Sequence, residues 1–519
     1  MDRLYREFHK LGNLYSDQGK LAEAEEMYHR VLECREKAFG TDHISTLDTV
    51  NNLGILYQKQ GKLVEAEVIY HRALEGYKKA FGTDHISTFD TVNNLGSLYS
   101  DQGKLAEAEE MYLRALEGYK KAFGTDHIST FDTVNNLGSL YSDQGKLAEA
   151  EEMYLRALEG KEKAFGLDHI STLDTVNNLG NLYSDQGKLA EAEVIYYRAL
   201  KGKEKAFGTD HISTLNTVNN LGVLYSDQGK LAEAEVMYHR ALEGYKKAFG
   251  ADHISALDIV NNLGLLYQKQ GKLAKAEEMY LQALEGKEKA FGLGHISTLD
   301  TVNNLGILYS DQGKLAEAEE MYLQALEGKE KAFELDHIST LNTINNLGLL
   351  YQKQGKLAEA EAMYCRALEG KEKALGADHI STLDTVNNLG VLYSNQGKLV
   401  EAEVMYSRAL KGYEKAHGFE IASSYLPALN TMLAFGNLLS QTDRKDMAKA
   451  MYIRALSGYT TVQGPYSEWA RETEDRLQAL QVVSPKTNIG QNEFTKPGEA
   501  NARSLRQKIH KLRRWLKNK

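Results

Sequence analysis

The sequence predicts an all-α solenoid of about eleven antiparallel helix pairs, and three observations predict it. Glycine recurs every 42 residues, at Gly12, Gly54, Gly96, Gly138, Gly180, Gly222, Gly264, Gly306, Gly348 and Gly390, with a looser copy around Gly436; a fixed period of this length marks stacked supersecondary units. Each copy carries two apolar stripes at helical spacing, and neither stripe can be buried without the neighbouring copy. From Leu47 to Gly418 there is no proline, so nothing in those copies forces a helix to break.

The first copy has Arg6, His9 and Lys10 where later copies have Asp48, Asn51 and Asn52, as a solvent-facing end repeat would. In the second copy Leu47, Val50, Leu53, Leu56 and Tyr57 share one face of a first helix. Ser45 with Asp48 supplies an S-x-x-D start, which predicts a hydroxyl cap, and Gly61 supplies the stop. Leu63, Ala66, Tyr70, Ala73, Leu74 and Tyr77 form the face of a second helix closed by Gly82, with Gly54 and Ala66 small enough for two backbones to approach. After Gly418 the spacing lengthens by four residues, and Pro427 within SSYLPALN predicts an eleventh pair packed at a changed angle, its second helix running from Met447 to Tyr459. A polar helix from about Ser467 to Leu480 reads as a cap over the last open face. Residues 483–500, with Pro485, Gly490, Pro497 and Gly498, read as a linker. In residues 501–519, Leu505, Ile509, Leu512 and Leu516 mark one face of a basic amphipathic helix, with Trp515 beside it. The expected organisation is therefore a repeat array over 1–463, a cap over 464–482, a linker and a basic tail.

The L-G-x-L-Y run around each repeated glycine, the alanine of the second helix and its Ala-Leu pair resemble the tetratricopeptide repeat. In its common form that repeat has 34 residues and a tryptophan in the first helix; here Val50 and its equivalents take that place, and about eight residues are added. The longer unit is similar to the 42-residue repeats of kinesin light chains, and more so to arrays attached to nucleotide-binding immune-type receptors of fungi. The resemblance implies a right-handed superhelix whose first helices line a concave groove.

Only Cys34 and Cys365 occur, which suits a reducing compartment. The start, MDRLYREFHKLG, enters the first repeat directly, and no apolar run approaches the ~18 residues of a membrane span; a cytoplasmic protein is expected. The formal net charge is −10, and the eight Lys or Arg within 503–519, with no Asp or Glu, leave −18 for the rest. So acidic a body does not suit nucleic acid. Gly61-Lys62 and its equivalents lack the remainder of a phosphate loop. One histidine per repeat, as in Asp84-His85, is spaced too widely for a shared metal ion and reads as helix-end hydrogen bonding. No nucleophile with an adjacent base interrupts the pattern, so neither catalysis nor a cofactor is expected.

The candidate site is the groove face of the first helices. Three residues before each repeated glycine stands an asparagine: Asn51, Asn93, Asn135, Asn177, Asn219, Asn261, Asn303, Asn345 and Asn387. An amide offers both donor and acceptor, so such a row could clamp an extended peptide backbone. Six before the glycine stands mostly aspartate, including Asp90, Asp132, Asp174, Asp258 and Asp300, and five after it Asp101, Asp143, Asp185, Asp227 and Asp311 alternate with Lys59, Lys269 and Lys353. The residue after the glycine is Asn13, Ser97, Ser139 and Asn181 in early copies, but Val223, Leu265, Ile307, Leu349 and Val391 in later ones, with Ile55 the exception. A directional, amphipathic or basic peptide partner is the expectation, although duplication followed by drift produces the same uniformity. Kinesin light chains bind cargo peptides this way but need a coiled coil that nothing before Leu11 supplies; the fungal arrays suggest instead the ligand-sensing part of a receptor ATPase, present without its ATPase domain. The basic tail suits an anionic membrane, calmodulin or the acidic groove itself.

Overall fold

The computed structural model describes residues 2–482 except 334, 419–421 and 424. Among the described residues there are 23 helices and no strands. The first helices of repeats 1 to 11 are α1 (Asp2–Asp17), α3 (Ile44–Lys59), α5 (Ile86–Asp101), α7 (Ile128–Asp143), α9 (Ile170–Asp185), α11 (Ile212–Asp227), α13 (Ile254–Lys269), α15 (Ile296–Asp311), α17 (Ile338–Lys353), α19 (Ile380–Asn395) and α21 (Leu426–Gln441). Each is followed by a longer second helix, from α2 (Leu21–Phe39) and α4 (Leu63–Phe81) to α22 (Lys445–Gln463). The final helix, α23 (Glu468–Val482), buries Ala470 and Thr473 and stacks Trp469 on Tyr459 with ring centres 6.2 Å apart. The linker and basic tail expected over 483–519 lie outside the described residues. No described helix is long and apolar enough to cross a membrane.

The local signals act as their chemistry dictates, with two corrections. The cap of α3 is not the Ser45 hydroxyl: His43 stands at the N-cap, and its Nδ1 accepts from the Ser45 backbone N–H at 3.2 Å. The same histidine cap recurs in every first helix from α3 to α19. Gly54 admits a ring rather than a backbone, since a Cβ there would lie 2.7 Å from the fully buried Tyr70. The stop works as expected: Gly61 takes φ +71°, and the Lys62 N–H bonds back to the Tyr57 carbonyl at 2.9 Å. Pro427 sits in the first turn of α21, where its missing N–H costs nothing.

Neighbouring repeats are joined by a core that includes Leu47, Val50, Leu53 and Leu56, by ion pairs such as Lys62 with Glu25 at 2.9 Å, and by a polar staple. In that staple Gln102 Nε2 donates to the Leu63 carbonyl at 3.3 Å and to Glu67 Oε2 at 3.0 Å. First helices of adjacent repeats lie closer to one another than second helices do, which puts the first helices on the inside of the curve.

That curve closes on itself in about six repeats. His295, which caps α15 of repeat 8, faces the C-terminal end of α3 in repeat 2, its Nε2 3.3 Å from the Lys59 carbonyl. His337 reaches the Asp101 carbonyl of repeat 3 at 3.1 Å, also 236 residues away in sequence. His253 and His379 address the backbone of Asp17 and Asp143 in the same way. Because each Nδ1 already accepts from a backbone N–H, the ring proton sits on Nε2 and is donated across the turns. Phe291 and Phe333 add apolar contact, packing on the cores of repeats 1–2 and 2–3. The last repeat continues the seam through Tyr425, Leu426 and Pro427, which face Ser184, Gly187 and Asp227 across a cavity of ≈580 Å³.

Candidate functional site: the inner wall

The nine asparagines all stand on the inner helices, and their carbonyl oxygens form a ladder between repeats. Asn51 Oδ1 accepts from Asn94 Nδ2 at 3.3 Å and from Thr91 Oγ1 at 3.2 Å. The same bond from the next repeat's second asparagine reaches Asn93, Asn135, Asn177, Asn219, Asn261, Asn303 and Asn345 at 3.1–3.4 Å. Asn387 accepts from Thr431 at 2.9 Å. With the oxygens engaged sideways, the amide nitrogens are the remaining polar ends of these side chains, and that of Asn219 donates to Asn220 Oδ1 at 3.5 Å. Only Asn177 is buried; the others are half exposed.

The aspartates six residues before the glycine are tied to the second helix 29 positions on. Where that position is tyrosine its hydroxyl donates to the carboxylate, as Tyr77 does to Asp48 at 2.6 Å and Tyr119 to Asp90 at 2.5 Å. Burial pushes the Asp90 carboxyl above the usual carboxylate range. Where the position is lysine an ion pair forms: Lys161 with Asp132 at 2.7 Å, and Lys203 with Asp174, Lys287 with Asp258 and Lys329 with Asp300 at 2.8 Å. These ammonium groups are almost fully buried, and they also donate to threonines of the next repeat, as Lys161 does to Thr175 at 2.9 Å. Repeat 9 has Asn342 in place of the aspartate, and burial there pushes the Lys371 ammonium down to about 8. The sequence reading treated these aspartates as wall residues only; the lysine or tyrosine 29 residues later was the signal that could have found their partners.

The positions after the glycine differ along the coil. Asn13 and Asn181 accept from Tyr28 and Tyr196 at 2.6 Å, and Ser97 accepts from Gln58 at 3.1 Å. Val223, Leu265 and Leu349 stand 38%, 43% and 42% exposed, while Ile307 and Val391 are half-buried against the core. Five residues after the glycine runs the row Asp101, Asp143, Asp185 and Asp227. Solvent reaches these carboxylates, yet protein surrounds them on the inner wall. That burial, aided by neighbouring aspartates, pushes Asp143 and Asp185 up to about 6. A smaller cavity of ≈380 Å³ opens beside Asp174, Asn177, Lys203 and His211. Among the described residues, no group of three or more His, Cys, Asp or Glu could hold a metal ion.

A tetratricopeptide repeat profile matches in nine overlapping stretches that run from residues 5–79 to residues 339–415. No curated protein matches the chain. Among solved structures, the nearly identical TPR-like repeats of a kinesin-light-chain-type protein from Podosopora anserina are similar at 23% identity and a TM-score of 0.33, covering 39% of this chain and 96% of that one. BtubC (BKLC) from P. vanneervenii is similar at 21% identity and a TM-score of 0.37, covering 52% of this chain and 99% of that one.

Proposed function

The chain belongs to the tetratricopeptide repeat family, and on that premise we propose that it is a protein-interaction scaffold whose inner wall holds a basic or amphipathic peptide segment. The observation that carries this reading is the set of aliphatic side chains, Val223, Leu265 and Leu349, left open to solvent on the same helices as the asparagine ladder. Apolar groups on an otherwise polar concave wall are where a partner gains most from desolvation. The asparagine amides supply donors for main-chain carbonyls, whatever the sequence of the segment. Asp143 and Asp185, crowded enough to resist ionisation, favour a cation from the ligand. The segment therefore lies with its basic end toward repeats 4 and 5 and its apolar end toward repeats 6 to 9.

The test is a fluorescein-labelled 20-residue Leu/Lys amphipathic peptide titrated into the full chain and followed by anisotropy. Leu265→Ser with Leu349→Ser, both at exposed sites, is expected to weaken binding about tenfold, ~1.4 kcal/mol, and added salt to weaken it further. Affinity untouched by the double substitution, or matched by a Leu/Glu peptide, sinks the reading.

A further inference from the structure

The seam inside the chain has two faces, and among the described residues each recurs unoccupied at one end of the coil. One face consists of loop histidines with a phenylalanine from the end of the preceding second helix. In repeats 7 to 9 these are His253, His295 and His337 with Phe249, Phe291 and Phe333, and they meet the previous turn. In repeats 2 to 6 the same pairs are His43, His85, His127, His169 and His211 with Phe39, Phe81, Phe123, Phe165 and Phe207. No earlier turn covers them, and Phe39, Phe81, Phe123 and Phe207 stand 36–44% exposed. The other face is the C-terminal end of the first helices with its glycine turn. A Cβ at Gly61 would lie 3.2 Å from the His295 ring, whereas around Gly271, Gly313, Gly355 and Gly397 nothing among the described residues comes within 4 Å.

The charges match as well. The loop aspartates pair alike in both turns: Lys289 with Asp252 and Lys415 with Asp378 beside the covered histidines, Lys79 with Asp42, Lys121 with Asp84 and Lys205 with Asp168 beside the open ones, and all of these pairs remain exposed to solvent. These pairs stay in solvent where the seam is closed, so continuing it to a second copy need not bury them. We propose that a second copy of this chain is the partner for these ends. The histidine edge of one copy docks on the glycine-turn edge of the next, and the internal seam continues from molecule to molecule. Because the two faces are different surfaces, the contact is head-to-tail and does not close after two subunits; it extends as a filament.

The decisive experiment is sedimentation velocity of the full chain across a concentration series. Phe81→Glu with Phe123→Glu blocks the histidine edge, and Gly313→Asn with Gly355→Asn crowds the other while keeping a residue that tolerates left-handed backbone. Both pairs lie outside the internal seam, and circular dichroism checks that each variant remains folded. The unaltered chain is expected to form species beyond the dimer as concentration rises, each variant alone to stay monomeric, and a mixture of the two to stop at the dimer, since only one competent edge of each kind remains. A chain monomeric at 100 times its working concentration in the peptide titration, or association that survives either substitution pair, overturns the proposal.

Discussion

The first and second turns of the coil are built from almost the same residues, yet their histidines live in different surroundings. His85 and His337 each cap a helix through Nδ1, but only His337 has a carbonyl, that of Asp101, within reach of its Nε2. Phe81 is exposed, whereas Phe333 packs on the core of repeats 2 and 3. Nothing local distinguishes the two loops. What differs is whether another turn of the same chain lies beyond. In a linear solenoid each repeat interacts with its nearest neighbours alone; the seam adds a contact at a distance of six repeats and ties the ends of the array to its middle.

The largest break in this comparison should come from alanine at four histidines at once. Replacing His43, His85, His127 and His169 removes four caps. Replacing His253, His295, His337 and His379 removes four caps and four contacts across the turns. At roughly 0.5–1.5 kcal/mol per hydrogen bond, the second set should be about 2–6 kcal/mol less stable than the first in urea unfolding. It alone should enlarge the radius of gyration in small-angle scattering; equal losses with unchanged dimensions would mean that the seam contributes nothing. A smaller contrast is expected from single substitutions. Phe291→Ala should cost about 1–2 kcal/mol because it uncovers apolar surface at the seam, and Phe81→Ala less, because that ring packs on its own loop and is already 41% exposed.

The smallest effect, and the sharpest test of place, is acid sensitivity. Burial holds the imidazoles of His253, His295, His337 and His379 below the usual histidine range. The unfolded chain therefore binds more protons as pH drops below about 6.5. Their contribution is complete above that value and is lost as pH falls through the depressed values. Asp143 and Asp185, raised to about 6, work in the opposite sense, since protonation relieves their crowding. Asp143→Asn with Asp185→Asn should accordingly make the array lose more stability between pH 7 and pH 5 than the unaltered chain does. An unchanged pH profile would argue against both assignments.

Most of the fold was legible because helix pairs obey local rules: the spacing of Leu47, Val50 and Leu53, the stop at Gly61 and the 42-residue period each act within one module. For the candidate site, the placement of the residues on the inner helices was legible but their connectivity was not. Asn51 can be put on the inner helix from its register, whereas its bond to Asn94 depends on how far one repeat rotates against the next. The buried lysines were missed because lysine normally keeps its head in water; only the packing of Lys161 between Asp132 and Thr175 makes burial tolerable. The seam was least legible of all. It follows from the small rotation per repeat, summed over six repeats, and no residue encodes that sum by itself.

Touching turns also govern time as well as stability. On the proposed function, a segment lying along the inner wall is encircled, so it cannot step sideways into solvent as it would from an open groove. It must slide out past an end or wait until the turns part. Escape is then set by the opening of His295 from Lys59 and its equivalents, and a weakly held ligand can still stay long.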